Sequence, residues 1–374
     1  MSLTSNIFIV GCAALSLMMS GCGGHSGHSH DIVGDTITAM SSRLKLIDCG
    51  DYTIAEISVP WNEKEPLGKY AIIGEDTDID AIPRGYTIIN TPLERSVVFS
   101  SAYTSAICEL GHLGQIKGIA DGNYYLDADT VSRLIADGRI SDVGSSMSPL
   151  IENVIEIEPD AILLSPYVDV SSTGLERLGV PMVWMADYLE TDPLGRAEWI
   201  LLLGELYGER EKAKDIFERT KRNYLEIKEK TKHLPSKPVV ITEKPMSGAW
   251  YVPGGQSYIA KMIADAGGDY PWKDNDDSGS VPLDEAAVID RGADADIWLI
   301  KDTRPYNVKN LAEELPRVRV LSPFPESIYF CNTLEVPYYN VIAFHPDRVL
   351  SDMAAIFHPD VFVGKRLEFY RHLE

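Results

Sequence analysis

The side chains of this chain best suited to chemistry are aromatics, amides, hydroxyls and cations placed where short apolar runs end. In the first half they are Ser101, Tyr103, Asn123, Tyr124, Tyr125, Ser146 and Tyr167. In the second half they are Trp250, Tyr251, Gln256, Lys301, Arg304, Asn332, Tyr338 and Tyr339. The set suits recognition better than bond-making. Tyrosine and tryptophan offer wide, rigid contact area with a polar tip, which fits a flat macrocycle or an aryl chelate. Lys301 and Arg304 can pair with anionic ligand groups, and a tyrosine phenolate can ligate haem iron. Catalytic motifs are missing from the sequence: it has no G-x-S-x-G elbow, P-loop, G-x-G-x-x-G or H-E-x-x-H. Residues 248–255 are glycine-rich but lack the phosphate-loop lysine. His112, His233, His345, His358 and His372 show no close ligand spacing, and His345 and His358 read as structural residues at helix ends. No catalytic residue and no resident metal site is expected.

Positioning these residues requires alternating strands and helices. Apolar runs at 96–99, 115–120, 140–143, 160–164 and 182–185 read as strands. Helical patterns fall between them, one ending at Gly111, one over 130–136 and one opening at Pro149. Asp192 and Pro193 start a further helix that runs to Tyr207. The alternation resumes with strands at 239–242, 297–300 and 328–330 and helices at 256–266 and 348–357. Such alternation implies βαβ units on parallel sheets. Ligands of parallel sheets sit at loops beyond the strand ends, which is why the residues above are the candidates.

Between the two series lies a long helical stretch, 209–231. Ala213, Ile216, Phe217, Thr220, Tyr224 and Ile227 recur at helical spacing. Asp215–Arg219, Glu218–Arg222 and Glu226–Lys230 are pairs four residues apart with the acid first, the better order. A helix of this length spans roughly 35 Å, enough to cross a domain. Residues 44–90 are rich in strand formers and read as a small antiparallel sheet. The expected class is α/β, with two Rossmann-like lobes joined by one long backbone helix and an N-terminal β-rich extension. The expected division is 1–21 signal peptide, 22–43 lipidated cysteine and flexible tether, 44–92 extension, 93–207 N-terminal lobe, 208–235 bridging helix and 236–374 C-terminal lobe.

A length of 374 residues favours two domains, and 45% apolar content is ordinary for a globular protein. A net charge of −22 argues against nucleic acid and against electrostatic docking on anionic lipid. The apolar run at 7–19 is too short for a comfortable membrane span. It ends in Met19-Ser20-Gly21-Cys22, which resembles a bacterial lipobox, with Cys22 as the lipid-carrying residue after cleavage. His25, His28 and His30 follow in a polar tether that holds no coordination geometry. Cys12 leaves with the signal. Cys49, Cys108 and Cys331 stand far apart without CxxC spacing, and Cys108 reads as a small core residue.

Two segments echo each other across the long helix. Ser148-Pro149-Leu150-Ile151-Glu152 leads through an apolar helix to Pro159-Asp160-Ala161-Ile162. Ser280-Val281-Pro282-Leu283-Asp284-Glu285 leads likewise to Ala295-Asp296-Ile297-Trp298. In each, a proline would occupy the first helical turn, and a glutamate sits near the positive helix end. Glu152 and Glu285 are good first-turn residues on that ground alone. Alternatively, one exposed carboxylate per lobe addresses a basic partner.

The order of these features resembles the helical-backbone, or class III, periplasmic substrate-binding proteins of ABC importers. The lipobox, the long helix, residues 92–98 and residues 152–164 carry the likeness, as do 251–257, 263–268, 346–352 and 356–359. The likeness covers 93–358, leaving the β-rich extension outside it. It implies a lipid-anchored, monomeric periplasmic receptor without a cofactor of its own. Its cargo would be an iron complex, ferric siderophore or haem, or else cobalamin. Glu152 and Glu285 would dock on arginines of the permease, which works with its ATPase. Two other readings compete. A receptor for a bare transition-metal ion needs histidines and carboxylates converging from both lobes. A two-lobed α/β enzyme needs a motif that the sequence lacks.

Overall fold

The computed structural model describes residues 32–122 and 128–374. The expected signal segment, Cys22, His25, His28 and His30 lie outside the described residues, as do the candidates Asn123, Tyr124 and Tyr125.

The strand formers of the extension build one five-stranded sheet in sequential order. Its strands are β1 (Asp35–Thr36), β2 (Leu44–Asp48), β3 (Tyr52–Ile57), β4 (Gly68–Ile73) and β5 (Thr87–Asn90). Neighbours run antiparallel as far as β4, but β5 lies parallel to β4. The sheet is therefore mixed, not purely antiparallel. Parallel pairing needs a crossover, and the connection after Ile73 is long enough to hold a 3-10 turn at Ile79–Ala81 on its way back. The expected flexible tether also ends early, because the fold already holds residues 35–43. The N–H groups of Ala39, Met40 and Ser41 donate to the Glu198 carboxylate at 2.7–2.9 Å. Those of Ser42 and Arg43 donate to Glu190 at 2.9 Å. Both glutamates are buried.

The N-terminal lobe follows as β6 (Ser96–Val98), α1 (Ser101–Leu110), β7 (Ile116–Ile119), α2 (Ala128–Ala136) and β8 (Ser141–Asp142). A hairpin of β9 (Gly144–Ser145) and β10 (Ser148–Pro149) leads to α3 (Ile151–Ile157), β11 (Ala161–Leu164), α4 (Val170–Thr173) and β12 (Met182–Trp184). The sheet order is β12-β11-β6-β7-β8, every pair parallel. The four residues of β11 are all fully buried, as befits a strand covered on both faces. Local signals set the ends of α1: Ser100 caps its start, and Gly111 stops it with a φ of 99°.

Three helices lead out of this lobe: α5 (Pro193–Ala197), α6 (Ile200–Tyr207) and α7 (Arg210–Lys232). The single helix expected over 193–207 is thus two pieces. Glu198 and Trp199 take ψ values of −18° and −14°, the tighter 3-10 geometry, and Glu198 turns its carboxylate toward residues 39–41. At Gly204, an added Cβ would stand 2.5 Å from that of Ala213, so α6 and α7 meet at a distance only glycine permits.

The bridging helix α7 touches both lobes. Its Ala213, Ile216 and Phe217 join the N-lobe core, while Tyr224 and Ile227 belong to the C-lobe core. Of the three expected charge pairs the structure forms Glu226–Lys230, at 2.7 Å. Glu218 instead meets Lys221, and Arg219 turns to Glu109 of α1.

The C-terminal lobe holds β13 (Val240–Thr242), β14 (Pro245–Met246), β15 (Ala249–Pro253), α8 (Tyr258–Asp265), β16 (Ser280–Leu283) and α9 (Glu285–Arg291). It continues with β17 (Ile297–Asp302), α10 (Val308–Glu314), β18 (Ile328–Asn332), α11 (Tyr338–Ile342), α12 (Pro346–Phe357) and β19 (Arg371–His372). Its main sheet, β13-β17-β18-β19, is parallel except at β19, and β14-β15-β16 form a small antiparallel sheet. Past α11, Ala343 and Phe344 insert into the N-lobe core, and Phe344 meets Tyr103 edge-on with centroids 6.4 Å apart. Among the described residues no helix is long and apolar enough to cross a membrane.

Cys108 is exposed on α1, not part of the core: a cysteine two residues before a helix end need not share the buried face of Ala106 and Ile107. Cys49 and Cys331 are also free thiols.

Candidate ligand-binding cleft

A cleft of about 700 Å³ opens at the carboxyl ends of the C-lobe strands. Its C-lobe wall comes from the loop after β13 (Glu243, Lys244), the β14–β15 hairpin (Met246, Tyr251), the start of α8 (Ser257, Tyr258), the end of β17 (Lys301, Asp302, Thr303) and the start of α11 (Tyr338, Tyr339). Tyr188 and Arg196 close it from the N-lobe side. Five tyrosines line it: Tyr188, Tyr251, Tyr258, Tyr338 and Tyr339. Tyr339 is 54% exposed and Tyr251 39%, so both offer free ring area to a ligand.

Four of the sequence candidates meet here: Tyr251, Lys301, Tyr338 and Tyr339. Tyr167 stands beside them, edge-on to Tyr188 at 6.0 Å and half exposed. The others are placed elsewhere. Tyr103 is buried beneath the cleft, its hydroxyl donating to Asp187 at 2.6 Å and lying 2.9 Å from Ser165 Oγ. Burial, then the Asp187 charge, pushes its phenol well above the usual range. Trp250 is core, with its indole N–H on the Thr242 carbonyl and its ring against Trp298. Asn332 is buried and donates to Glu335, and buried Ser146 gives its N–H to Asp121. Ser101 bonds Asn340 at 3.0 Å across the lobe seam. Gln256 is exposed but outside the cleft lining, and Arg304 turns outward to Glu314 and Tyr306.

The cations of the cleft are held by carboxylates. Lys301 pairs with Glu243 and lies 5.4 Å from the Tyr338 ring centre. Burial pulls its pKa down, but Glu243 and neighbouring groups raise it well above the usual lysine range. Lys244 lies 2.9 Å from Asp302. Arg196 donates from Nε to Asp187 at 2.9 Å, with its guanidinium over the Tyr258 ring at 4.7 Å. Burial, then the neighbouring Tyr370 and Tyr258 phenols, pushes the Tyr338 phenol well above its usual range, and burial raises that of Tyr339 against the opposing charge of Lys301.

Glu152 and Glu285 occupy matching places. Each lies in the first turn of a helix that leaves directly from an antiparallel edge strand, β10 of the two-stranded hairpin in one lobe and β16 of the three-stranded sheet in the other. Pro149 and Pro282 lie in those strands, not in the first helical turns the sequence suggests. Asp284 caps α9, whereas Leu150 stands at the α3 cap without a side-chain bond. Prolines fit there because a short edge strand tolerates a missing N–H. The matching acids Asp160 and Asp296 also act alike. Asp160 accepts from Glu94 and Arg95, Asp296 from Val239, each tying the chain entering a neighbouring strand. Glu152 is exposed and Glu285 half-buried.

Residues 97–319 match the family model described as periplasmic binding protein. The chain belongs to the periplasmic binding protein family. Its members are substrate-binding parts of ABC transporters and act outside the cytoplasm. The chain is 33% identical over 296 residues to the uncharacterized lipoprotein MJ0878 of Methanocaldococcus jannaschii, covering 76% of this chain and 70% of that one. Among solved structures it resembles a periplasmic heme-binding protein of Pseudomonas aeruginosa, with 16% identity and a TM-score of 0.55 over 71% of this chain and 93% of that one. It also resembles an ABC-type Fe3+-hydroxamate transport system protein of Saccharomonospora viridis, with 20% identity and a TM-score of 0.54 over 71% of this chain and 93% of that one. Those two likenesses are of fold: two α/β lobes and a central helix.

Several cleft residues of this periplasmic binding protein escape a reading of its sequence. Glu243, Lys244 and Tyr188 follow strands directly, so the strand-end rule would have reached them. Arg196 lies inside a helix, where that rule does not look.

Proposed function

We propose that this protein captures an iron chelate, ferric siderophore or haem, or else cobalamin, in the cleft lined by Tyr188, Tyr251, Tyr258, Tyr338 and Tyr339, and delivers it to an ABC permease. The mechanism is recognition without bond-making. The single observation that carries the reading is the cleft itself, about 700 Å³ with an aromatic collar at the strand ends. The heme-binding and Fe3+-hydroxamate neighbours support the choice of cargo class. A lipid on Cys22 holds the receptor at the envelope, a reading supported by the lipobox-like sequence and the lipoprotein relative. Glu152 and Glu285 present one carboxylate per lobe to permease arginines, supported by their matching places. Among the described residues no group of three or more His, Cys, Asp or Glu is arranged to hold a metal ion, which favours a chelate over a bare ion.

The test is an absorption spectrum of purified protein after incubation with haem, a ferric siderophore or cobalamin and removal of free ligand. A retained Soret band selects haem, a retained corrin spectrum cobalamin, and a retained charge-transfer band the siderophore. Retention of none would overturn capture of this cargo class.

A further inference from the structure

Three cations line the cleft, and they differ in what they have left to offer. Lys244, Lys301 and Arg196 are all nearly buried, with 7%, 9% and 11% side-chain exposure, and all face carboxylates: Lys244 meets Asp302 and Glu314, Lys301 meets Glu243, and Arg196 meets Asp187. A ligand anion taken by either lysine would share that ammonium with a carboxylate already in contact, setting like charges together in a poorly solvated wall, which is costly. Arg196 is different. Asp187 engages its Nε, and the Tyr258 ring lies against its guanidinium face, so the group is rigid. Its two terminal nitrogens find no acceptor among the described residues. They form a fixed fork of donors at the cleft surface, suited to one oxygen-rich ligand edge. A chain of net charge −22 adds repulsion toward any polyanion.

Granted capture of a chelate in this cleft, we infer that the site selects one carrying at most a single negative charge, with one acceptor edge seated on the terminal nitrogens of Arg196. The remaining surface of the chelate lies on the tyrosine collar. Arg196 is the specificity-determining residue, while Lys244 and Lys301 hold the wall in place.

Two ferric chelates separate the possibilities by charge. Ferric iron with three monoanionic hydroxamates is neutral, and with three dianionic catecholates it is a trianion. Affinities follow from quenching of tryptophan fluorescence at low and high salt. The neutral chelate should bind about 100-fold more tightly than the trianion, with little dependence on salt. Arg196→Gln should weaken binding of the neutral chelate about tenfold, and Arg196→Lys should not restore it, because an ammonium lacks the fork. Thermal unfolding of both variants separates a lost contact from a lost fold, and the charge series on the unaltered protein needs no variant. Equal or tighter binding of the trianion overturns the inference, as does unchanged affinity in a folded Arg196→Gln protein. Binding of neither chelate, nor of haem or cobalamin, would instead overturn the capture reading on which it stands.

Discussion

His345 places its Nε2 2.6 Å from the Glu109 carboxylate across the seam between the two lobes. Its Nδ1 lies 3.3 Å from Thr220 Oγ1 on α7, so one imidazole touches the N-lobe helix α1, the bridging helix and the start of α12. The His345 hydrogen bond, with the nearby His345, Arg219 and Arg348 charges, holds the Glu109 carboxyl below its ordinary range against the opposing effect of burial. A carboxyl depressed by folding contributes stability above its unfolded pKa of about 4.3, and that stability is lost as pH falls through the folded value. Glu109→Gln should therefore lower the denaturation midpoint at neutral pH, with the gap to the unaltered protein closing on acidification. Urea titrations across that pH range measure it, and a gap that persists in acid would show that Glu109 acts through shape instead of charge.

The extension should depend on Glu198. Its buried carboxylate gathers three backbone N–H groups from residues 39–41. Glu198→Ala should cost about 3 kcal/mol, from the loss of three hydrogen bonds to a charged group. Limited proteolysis should then cut first within 33–43. A variant as stable and as protected as the parent would mean the extension is held by its apolar face alone.

Docking and capture should separate. Glu152 and Glu285 lie in first helical turns, outside the cleft lining. Changing both to alanine should leave chelate affinity within about twofold, since surface carboxylates of this kind contribute little to local stability. Uptake by cells carrying the cognate permease should fall sharply. Normal uptake with the double variant would remove both residues from the docking surface.

Lobe motion on loading should be small. The bridging helix is packed into both cores, and Phe344 of the C-lobe side is buried in the N-lobe core. Solution scattering of free and loaded protein should give nearly the same radius of gyration. Phe344→Ala should destabilise the fold by about 3–5 kcal/mol and widen the difference between free and loaded states. A large compaction in the unaltered protein would contradict a stiff connection.

Much of the scaffold was written locally. Ser100 and Gly111 delimit α1, Asp192 and Pro193 open α5, and the spacing from Ala213 to Ile227 produces one helix, found at Arg210–Lys232. Each of these signals acts within a few residues, so no distant partner is needed to read it. Tyr251, Tyr338, Tyr339 and Lys301 were reachable for a related reason: strand ends in a parallel sheet face the ligand side whatever the rest of the chain does.

Long-range partners decided the remainder. Position after a strand cannot tell Tyr339, open to the cleft, from Trp250, sealed against Trp298. Tyr103 became a buried support because Asp187, 84 residues away, takes its proton donor. Arg196 kept its terminal nitrogens open toward the cleft because Asp187 claims only its Nε and the Tyr258 ring covers its guanidinium face. Met40 left the expected tether because Glu198, 158 residues later, binds its N–H. Periodicity and caps determine which elements form. Burial and pairing between distant segments determine which side chains remain free to meet a ligand, because those depend on what the folded chain brings alongside.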